Sequence, residues 1–383
     1  MTLAAPGADL ARDPGHARRL AAAIARAADP ARRFHLMEFC GGHTHAFARW
    51  GLADLLPDNV RLVHGPGCPV CVLPVGRIDQ AIALARDPRV ILCTFADLMR
   101  VPASRRQSLV TARAEGADIR MVQGAGEALK LARAHPDREV VFLAIGFETT
   151  TPPTALAVQA AAREDLSNFS VLVNHVTTPA AVEAILASPE VRAGDVKVDA
   201  VIGPGHVSLV TGADYYAPLA RAHRLPIVIA GFEPNDLLAA VLMAVRQLGE
   251  QRAEVEVQYA RAVTSAGNAR ALAAIADVFE LRDSYDWRGL GAIPKSALKL
   301  RPAYARFDAE ARFDAPYRTI ADHPACSCPD ILRGVKEPRD CRVFGTGCTP
   351  DHPLGACMVS PEGSCAAVYR YAPVARARQE QPA

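Results

Sequence analysis

The sequence predicts an α/β protein with two Rossmann-like parallel-sheet domains that face a cleft, followed by a cysteine-rich C-terminal domain. Short β-branched apolar runs recur roughly every thirty residues, and Ala/Leu-rich segments of helical period separate them. Strands that alternate with helices in this way indicate βαβ units and parallel sheets. The last part of the chain differs, because it is rich in Pro, Gly and Cys and has little periodicity.

Eight apolar runs are the predicted strands. They are centred near residues 35, 62, 92, 120, 143, 172, 201 and 228. Most are apolar on both faces, as expected for parallel sheets that helices cover on both sides. The count predicts two domains of four strands each, over residues 1–137 and 138–250.

The third predicted domain covers residues 251–383. Residues 235–280 have helical periodicity, so we expect helix throughout that range. The cysteine-rich segment that follows is poor in apolar burial and therefore needs a metal or disulfide to hold it together.

Composition restricts the function classes. The chain has 383 residues and a formal net charge of +2, which does not indicate a nucleic-acid partner. No apolar run approaches the roughly 18 residues that span a bilayer, and the N-terminus lacks the apolar core of a signal peptide. We therefore expect a cytoplasmic protein without a membrane partner, in which cysteines serve metals or redox chemistry.

Polar and sulfur side chains follow the ends of the predicted strands. Ligands bind at the carboxyl ends of strands in open parallel sheets. The candidate site residues at these ends are Cys40, His43, Cys68, Cys71, Asp97, Glu148 and His206, with His175 a weaker candidate. If the two domains face each other, these side chains line one cleft.

The stretch "HGPGCPVCVLP" places Cys68 and Cys71 in a CxxC pair after the second strand. Neighbouring strands lie about 5 Å apart, so Cys40 after the first strand can join them. Three thiolates suit a soft or borderline metal. The alternatives are a structural zinc that uses His43 or His64, disulfide exchange as in thioredoxin, and buried cysteines in a stiff turn. Cys93, within an apolar run, is expected to be a core residue.

Six cysteines lie between residues 326 and 365. Four thiolates can hold an iron–sulfur cluster, and the two that remain can form a redox disulfide beside it. One zinc site with spare cysteines, or structural disulfides alone, are the alternatives.

Several long motifs together resemble the HypD family of NiFe-hydrogenase maturation factors. They are "EFCGGHTHAF", "HGPGCPVCVLP", "TFADLMRVP", "GFETTTP", "GPGHVS", "GFEPND" and the C-terminal "CSC…DC…FG…CTP…PLGACMVSPEGSC". The motifs extend from about residue 35 to residue 365, which is nearly the whole chain.

The resemblance implies a scaffold on which the Fe(CN)2CO group is assembled. It implies a small HypC-type partner, cyanide delivered by a HypE-type carrier, and transfer of the iron group toward the hydrogenase large subunit. Cys40 and one or both of Cys68 and Cys71 would hold the iron, and Cys68 and Cys71 could alternate between dithiol and disulfide. His43, Asp97, Glu148 and His206 would then supply hydrogen bonds or protons.

The resemblance also implies a 4Fe–4S cluster in the C-terminal domain, with a disulfide next to it. We expect Cys326, Cys341, Cys348 and Cys365 as the cluster ligands and Cys328 with Cys357 as the redox pair. An iron–sulfur-dependent protein disulfide oxidoreductase is the alternative function.

Overall fold

The computed structural model describes residues 11–371, which form a mixed α/β fold with two parallel sheets. The strands are β1 Phe34–Glu38, β2 Val60–His64, β3 Val90–Thr94, β4 Ile119–Met121, β5 Glu139–Gly146, β6 Phe169–His175, β7 Ala200–Pro204, β8 Ile227–Ala230, β9 Val255–Val257, β10 Phe279–Leu281, β11 Ser284–Trp287, β12 Gly291–Pro294 and β13 Leu298–Leu300. All eight predicted strands are confirmed as β1 to β8.

Helices connect and cover the strands. They are α1 Pro14–Ala27, α2 Gly41–Trp50, α3 Pro69–Val72, α4 Val75–Ala85, α5 Leu109–Ala114, α6 Ala125–Ala134, α7 Thr151–Arg163, α8 Thr178–Leu186, α9 Pro189–Ala193, α10 Gly205–Thr211, α11 Ala217–His223, α12 Pro234–Gly249, α13 Ala269–Val278, α14 Ala309–Arg312, α15 Cys328–Leu332 and α16 Ser364–Tyr371. Within residues 11–371, no helix is long and apolar enough to cross a membrane.

The two parallel sheets do not follow the chain in order. The first sheet has five strands in the order β2-β1-β7-β8-β9, and the second has four in the order β4-β3-β5-β6. The predicted grouping of the first four and the last four strands is therefore wrong, and the sheets do not follow the expected boundaries at residues 137 and 250. The physical reason is that β1 pairs with β7, from Leu36 beside Ala200 to Glu38 beside Ile202, which leaves β3 to β6 as an insertion.

The predicted continuous helical segment is also wrong in part. Helix α12 ends at Gly249, and the alternating sequence of Val255–Val257 then forms β9 at the edge of the first sheet. Helix resumes only at α13. The β-branched valines favour a strand, and β8 offers them a free edge to pair with.

The cysteine-rich segment folds around short elements. Two antiparallel pairs, β10 with β13 and β11 with β12, precede it, and α15 and α16 lie within it. Helix α16 packs on α2, which begins directly after Cys40, so the C-terminal segment lies against the strand ends of the first sheet.

Candidate functional site

Cys40 lies next to the CxxC turn, at the ends of β1 and β2. The peptide N–H of Gly41 donates to the carbonyl of Gly67 at 3.1 Å. Gly67 is so close to this strand end that a Cβ there would overlap the backbone of Phe39 and Cys40. Because Cys68 follows directly, the turn brings it to the same edge of the sheet as Cys40.

The CxxC pair forms a disulfide in this structure. The Cα atoms of Cys68 and Cys71 are 5.2 Å apart, and the N–H of Cys71 donates to Sγ of Cys68 at 3.2 Å. Both residues are buried, Cys71 completely. Helix α3 is one turn long and starts with Pro69; Cys68 is its N-cap, and Cys71 lies within it.

Cys40 is the free thiol of this group, and its surroundings favour the protonated form. The residue is half-buried at the N-cap of α2. Burial, and then the nearby Glu362 carboxylate, raise the pKa of Cys40 to about 12, while the backbone N–H groups of His43 and Gly42 act in the opposite direction. The thiol therefore needs a base or a metal to lose its proton at neutral pH.

Glu362 is the site residue that sequence reasoning missed. A Cβ on Gly41 would lie 3.0 Å from Glu362 Oε2, which places this carboxylate against the start of α2. Burial and the nearby Asp97 raise the pKa of Glu362. Asp97 itself is exposed and accepts a hydrogen bond from the Ser360 hydroxyl at 3.0 Å. The only signal in the sequence that could have identified Glu362 is its position, next to Gly363 and three residues before Cys365.

The two candidate histidines both contact the ring of Phe232. His43 is fully buried, with Nε2 3.3 Å from the carbonyl of Ala230, and burial lowers its pKa to about 4. His206 is exposed and stacks on Phe232 at 3.7 Å between ring centroids. The structure thus brings His43 and His206 together. His45 points elsewhere, with Nδ1 3.1 Å from the carbonyl of Pro361, as expected for a helical "GGHTH" segment.

Glu148 has a structural role in this arrangement. Its carboxylate accepts hydrogen bonds from the N–H of Thr178 at 2.7 Å, the hydroxyl of Thr178 at 2.8 Å and the hydroxyl of Tyr215 at 2.9 Å. Burial raises its pKa. It therefore anchors the first turn of α8 and ties the end of β5 to the segment after α10, where Tyr215 lies.

Two further residues lie in the core. Cys93 is fully buried within β3, as predicted. His175 is also fully buried, with Nε2 2.9 Å from the hydroxyl oxygen of Thr154. Burial lowers the pKa of His175 to about 4, so its neutral ring is part of the packing.

The C-terminal cysteines surround one small pocket. Its lining includes all six cysteines, which are Cys326, Cys328, Cys341, Cys348, Cys357 and Cys365. Cys328 and Cys357 form a disulfide, and the other four are free thiols. The pairing of Cys328 with Cys357 thus coincides with the expected redox pair, whose redox role stays a prediction.

The four free thiols are close enough to influence each other. Burial raises the pKa of Cys365, and the charges of Cys326, Cys348 and Cys341 raise it further. In residues 11–371, no group of three or more His, Cys, Asp or Glu side chains converges on a point where one metal ion would bind. A 4Fe–4S cluster does not need such a point, because each thiolate binds a different iron.

Backbone N–H groups already point at the sulfurs of this pocket. The N–H of Leu354 donates to Sγ of Cys348 at 3.3 Å, and that of Cys357 to Sγ of Cys328 at 3.3 Å. Burial disfavours the Cys341 thiolate, but N–H groups of Val343 and Ser327 outweigh it and lower the pKa of Cys341. Soft donors with N–H groups directed at sulfur fit a cluster better than an apolar core.

The two thiol sites are on elements that touch. Helix α3, which contains Cys71, packs against α15, which begins at Cys328. It also packs against the 3-10 turn Ala356–Met358, which contains Cys357. The two disulfides are therefore held on neighbouring turns.

An α/β protein with three cysteines at parallel strand ends and six around one pocket belongs to the thiol-dependent class, whose chemistry is metal binding or disulfide exchange. The family model for HypD, described as the hydrogenase formation hypA family, matches residues 15–372. The chain therefore belongs to the HypD family of hydrogenase maturation factors, and the resemblance of its motifs is confirmed.

Similar proteins agree with this assignment. The chain is 63% identical to the hydrogenase maturation factor HypD of Azotobacter vinelandii, over 94% of this chain and 95% of that protein. It is 58% identical to HypD of Cupriavidus necator over 94% and 95% of the two chains. It is 48% identical to HypD of Escherichia coli over 89% and 90%. Family membership favours hydrogenase maturation over a general disulfide oxidoreductase.

Proposed function

We propose that this protein is the redox-active scaffold on which the Fe(CN)2CO group of NiFe hydrogenases is assembled. The iron is its cargo, a HypC-type protein is its small partner, and a HypE-type carrier delivers cyanide to it. The finished group passes toward the hydrogenase large subunit. We further propose a cytoplasmic location and two Rossmann-like domains whose strand ends face a common cleft.

The observation that carries this proposal is the position of Cys40 beside the Cys68–Cys71 turn at the ends of β1 and β2. Thiolates are soft donors that suit an iron whose other ligands are cyanide and CO. Cys40 is a free thiol in a half-buried residue, which leaves its sulfur available as a ligand for the cargo.

Iron binding requires Cys40 to lose its proton. Glu362 is the adjacent carboxylate, and its own raised pKa makes it a better proton acceptor than an exposed glutamate. The backbone N–H groups of Gly42 and His43 stabilise the thiolate that results. His43 and His206 both pack on Phe232, whose ring lies against Gly42 at the start of α2.

The redox state of Cys68 and Cys71 controls how many thiolates are available to bind the iron. As a disulfide they offer no thiolate, and reduction by two electrons with two protons gives two thiols that can bind or position iron.

Asp97 and Glu148 have structural roles. Asp97 accepts a hydrogen bond that holds the turn at Ser360, and Glu148 holds the first turn of α8.

We propose that Cys326, Cys341, Cys348 and Cys365 hold a 4Fe–4S cluster. The fit rests on four free thiols around one pocket, with backbone N–H groups directed at its sulfurs. When bound, the cluster supplies electrons one at a time. The Cys328–Cys357 disulfide lies at the same pocket, on two elements that pack against helix α3 of the CxxC turn.

Infrared spectroscopy tests the scaffold function. The protein is purified without air together with its HypC-type partner from cells that express the complete maturation machinery. We expect stretching bands of iron-bound cyanide and CO, which are separate from the amide bands of the protein. Absence of these bands, together with turnover of generic protein disulfides, would instead support the oxidoreductase.

A further inference from the structure

Arg288 is a buried cation between the two thiol sites. It follows β11, and its side chain is only 1% exposed. Its backbone N–H donates to the carbonyl of Val72 at 2.9 Å, and its Nε donates to the carbonyl of Leu73 at 3.0 Å. Arg288 therefore binds the chain directly after the CxxC turn.

The other end of the same guanidinium reaches the loop of the first cluster ligand. Nη1 donates to Asp322 Oδ1 at 2.6 Å, four residues before Cys326. The next residue, Gly289, is so close to Pro329 that a Cβ on it would lie 2.8 Å from the Pro329 Cα. The segment around Arg288 thus packs on both sides of Cys326 and Cys328.

One donor of Arg288 is left over. Nη2 is buried and has no hydrogen-bond acceptor within residues 11–371. A buried guanidinium N–H without a partner is costly, and an anionic sulfur is an acceptor that would satisfy it. The charge of Arg288 and that of Cys326 also influence each other's protonation, so the two groups are near.

We propose that the positive charge of Arg288 raises the reduction potential of the cluster held by Cys326, Cys341, Cys348 and Cys365. This inference rests on the proposed cluster and goes beyond it by naming the group that tunes it. Four thiolates give an oxidised 4Fe–4S centre two negative charges, and one added electron makes three. A nearby buried cation stabilises the more negative, reduced form.

The counter-ion of Arg288 does not cancel this effect. The Asp322 side chain is 21% exposed, so water screens its charge more than that of the buried guanidinium. The net field that Arg288 and Asp322 produce at the cluster is therefore positive. Removal of either charge should shift the potential, and the two shifts should have opposite signs.

The test is a potentiometric titration of the whole protein, isolated without air with its iron, with dithionite as the reductant and absorbance near 400 nm as the readout. In R288Q we expect a lower midpoint potential. The ratio of reduced to oxidised cluster at fixed potential should fall at least tenfold, which is 59 mV for one electron. R288K keeps the charge and should shift less than half as far, whereas D322N should raise the potential.

R333Q is the matched control. Arg333 is half-buried at the end of α15 and donates to the carbonyl of Gly289 at 2.7 Å, but its charge is paired with Asp330 and Glu190. At fixed potential, we expect the ratio of reduced to oxidised cluster in R333Q to lie within threefold of the ratio in the unmodified protein. A shift in R333Q as large as in R288Q would overturn a specific role for Arg288, as would an R288Q midpoint that does not move.

If R288Q does not retain iron, D322N and R288K decide the question. D322N keeps the guanidinium, so an unchanged or lower potential in D322N refutes the inference. Failure of the cluster proposal would look different, because the unmodified protein itself would then lack iron, sulfide and the 400 nm absorbance.

Discussion

The reactivity of Cys40 depends on a balance between burial and local hydrogen bonds. Burial and Glu362 keep the thiol protonated, and two N–H groups at the start of α2 partly offset them. A sulfur that resists ionisation until a metal arrives is protected from oxidation at other times, because the thiolate is the reactive form.

Substitution of Cys40 separates the two thiol sites. We expect Cys40→Ala to abolish hydrogenase maturation in a host that lacks its own copy of this protein, because the proposed iron site loses its free thiol. The variant should keep the brown colour and 400 nm absorbance, since Cys40 is not among the residues around the C-terminal pocket.

Cys341→Ala is the counterpart of that experiment. It removes one of the four free thiols at the pocket and should lose the colour. A colourless Cys40→Ala protein, or a fully brown Cys341→Ala protein, would show that the two sites have been assigned wrongly.

The buried histidines should make stability depend on pH. Burial lowers the pKa of both His43 and His175 to about 4, below the unfolded value of about 6.5. Below pH 6.5 the unfolded chain binds more protons, so stability is lost as pH falls from about 6.5 to about 4. Each histidine contributes about 3 kcal/mol to this loss across the window.

His175→Gln tests this effect away from the thiol site. Urea unfolding at pH 7 and at pH 4.5 should show a smaller difference in unfolding free energy than the unmodified protein shows. His352→Gln, at an exposed position, is the control and should keep the full difference. An unchanged difference in His175→Gln would mean that its neutral ring does not contribute.

Motifs predict which residues follow strands, but not what those residues touch. Cys40, His43, Cys68 and Cys71 were all predicted from strand ends, and the structure brings them together. Glu362 and Arg288 were not predicted, because each reaches its site from far along the chain. Arg288 lies in none of the quoted motifs, and Glu362 lies in the C-terminal one, whose cysteine spacing does not predict a contact with the start of α2. Contacts of that kind are set by tertiary packing alone.

At the scale of elements, the thiol site depends on how closely β1 and β2 approach at their ends. Gly67 permits that approach because it has no side chain where the backbone of Cys40 passes. The turn is further stiffened by Pro66 and Pro69, so little movement is available to relieve a clash.

Gly67→Ala should therefore disrupt the site without changing a thiol. The added Cβ overlaps backbone atoms, and we expect a loss of about 3 kcal/mol in unfolding free energy together with loss of maturation. Gly126→Ala is the control, since nothing lies within 4 Å of its Cβ on α6. That variant should be as stable as the unmodified protein or slightly more so. Equal stability of the two variants would contradict the close approach.

The eight strands could be predicted from the sequence because their apolar runs are local. Their order in the sheets could not, because β1 pairs with the distant β7 as well as with β2, and the pairing with β7 depends on packing across the whole molecule. Residues 255–257 show the same limit: their three-residue strand is too short to stand out from flanking helical periodicity, and it exists because β8 has an edge to fill.

At the scale of the whole molecule, β3 to β6 form an insertion within the first sheet. The chain leaves the first sheet after β2 and returns to it at β7, directly beside β1. Tyr215, which follows β7, then donates to Glu148 at the end of β5, so the two sheets are also joined near their strand ends. Along the chain, the strands that complete the first sheet therefore come after all the strands of the second sheet.

This topology predicts how fragments behave. A fragment of residues 1–137 contains β1 and β2 without β7, and β3 and β4 without β5, so each half-sheet lacks the neighbour that buries its edge. A fragment of residues 75–187 contains the whole second sheet with α4, α6 and α7, which pack on β3, β5 and β6. We expect circular dichroism and urea titration to show cooperative unfolding for residues 75–187 and none for residues 1–137. Cooperative unfolding of residues 1–137 would instead support a domain boundary at residue 137, with the pairing of β1 and β7 added later to two units that fold separately.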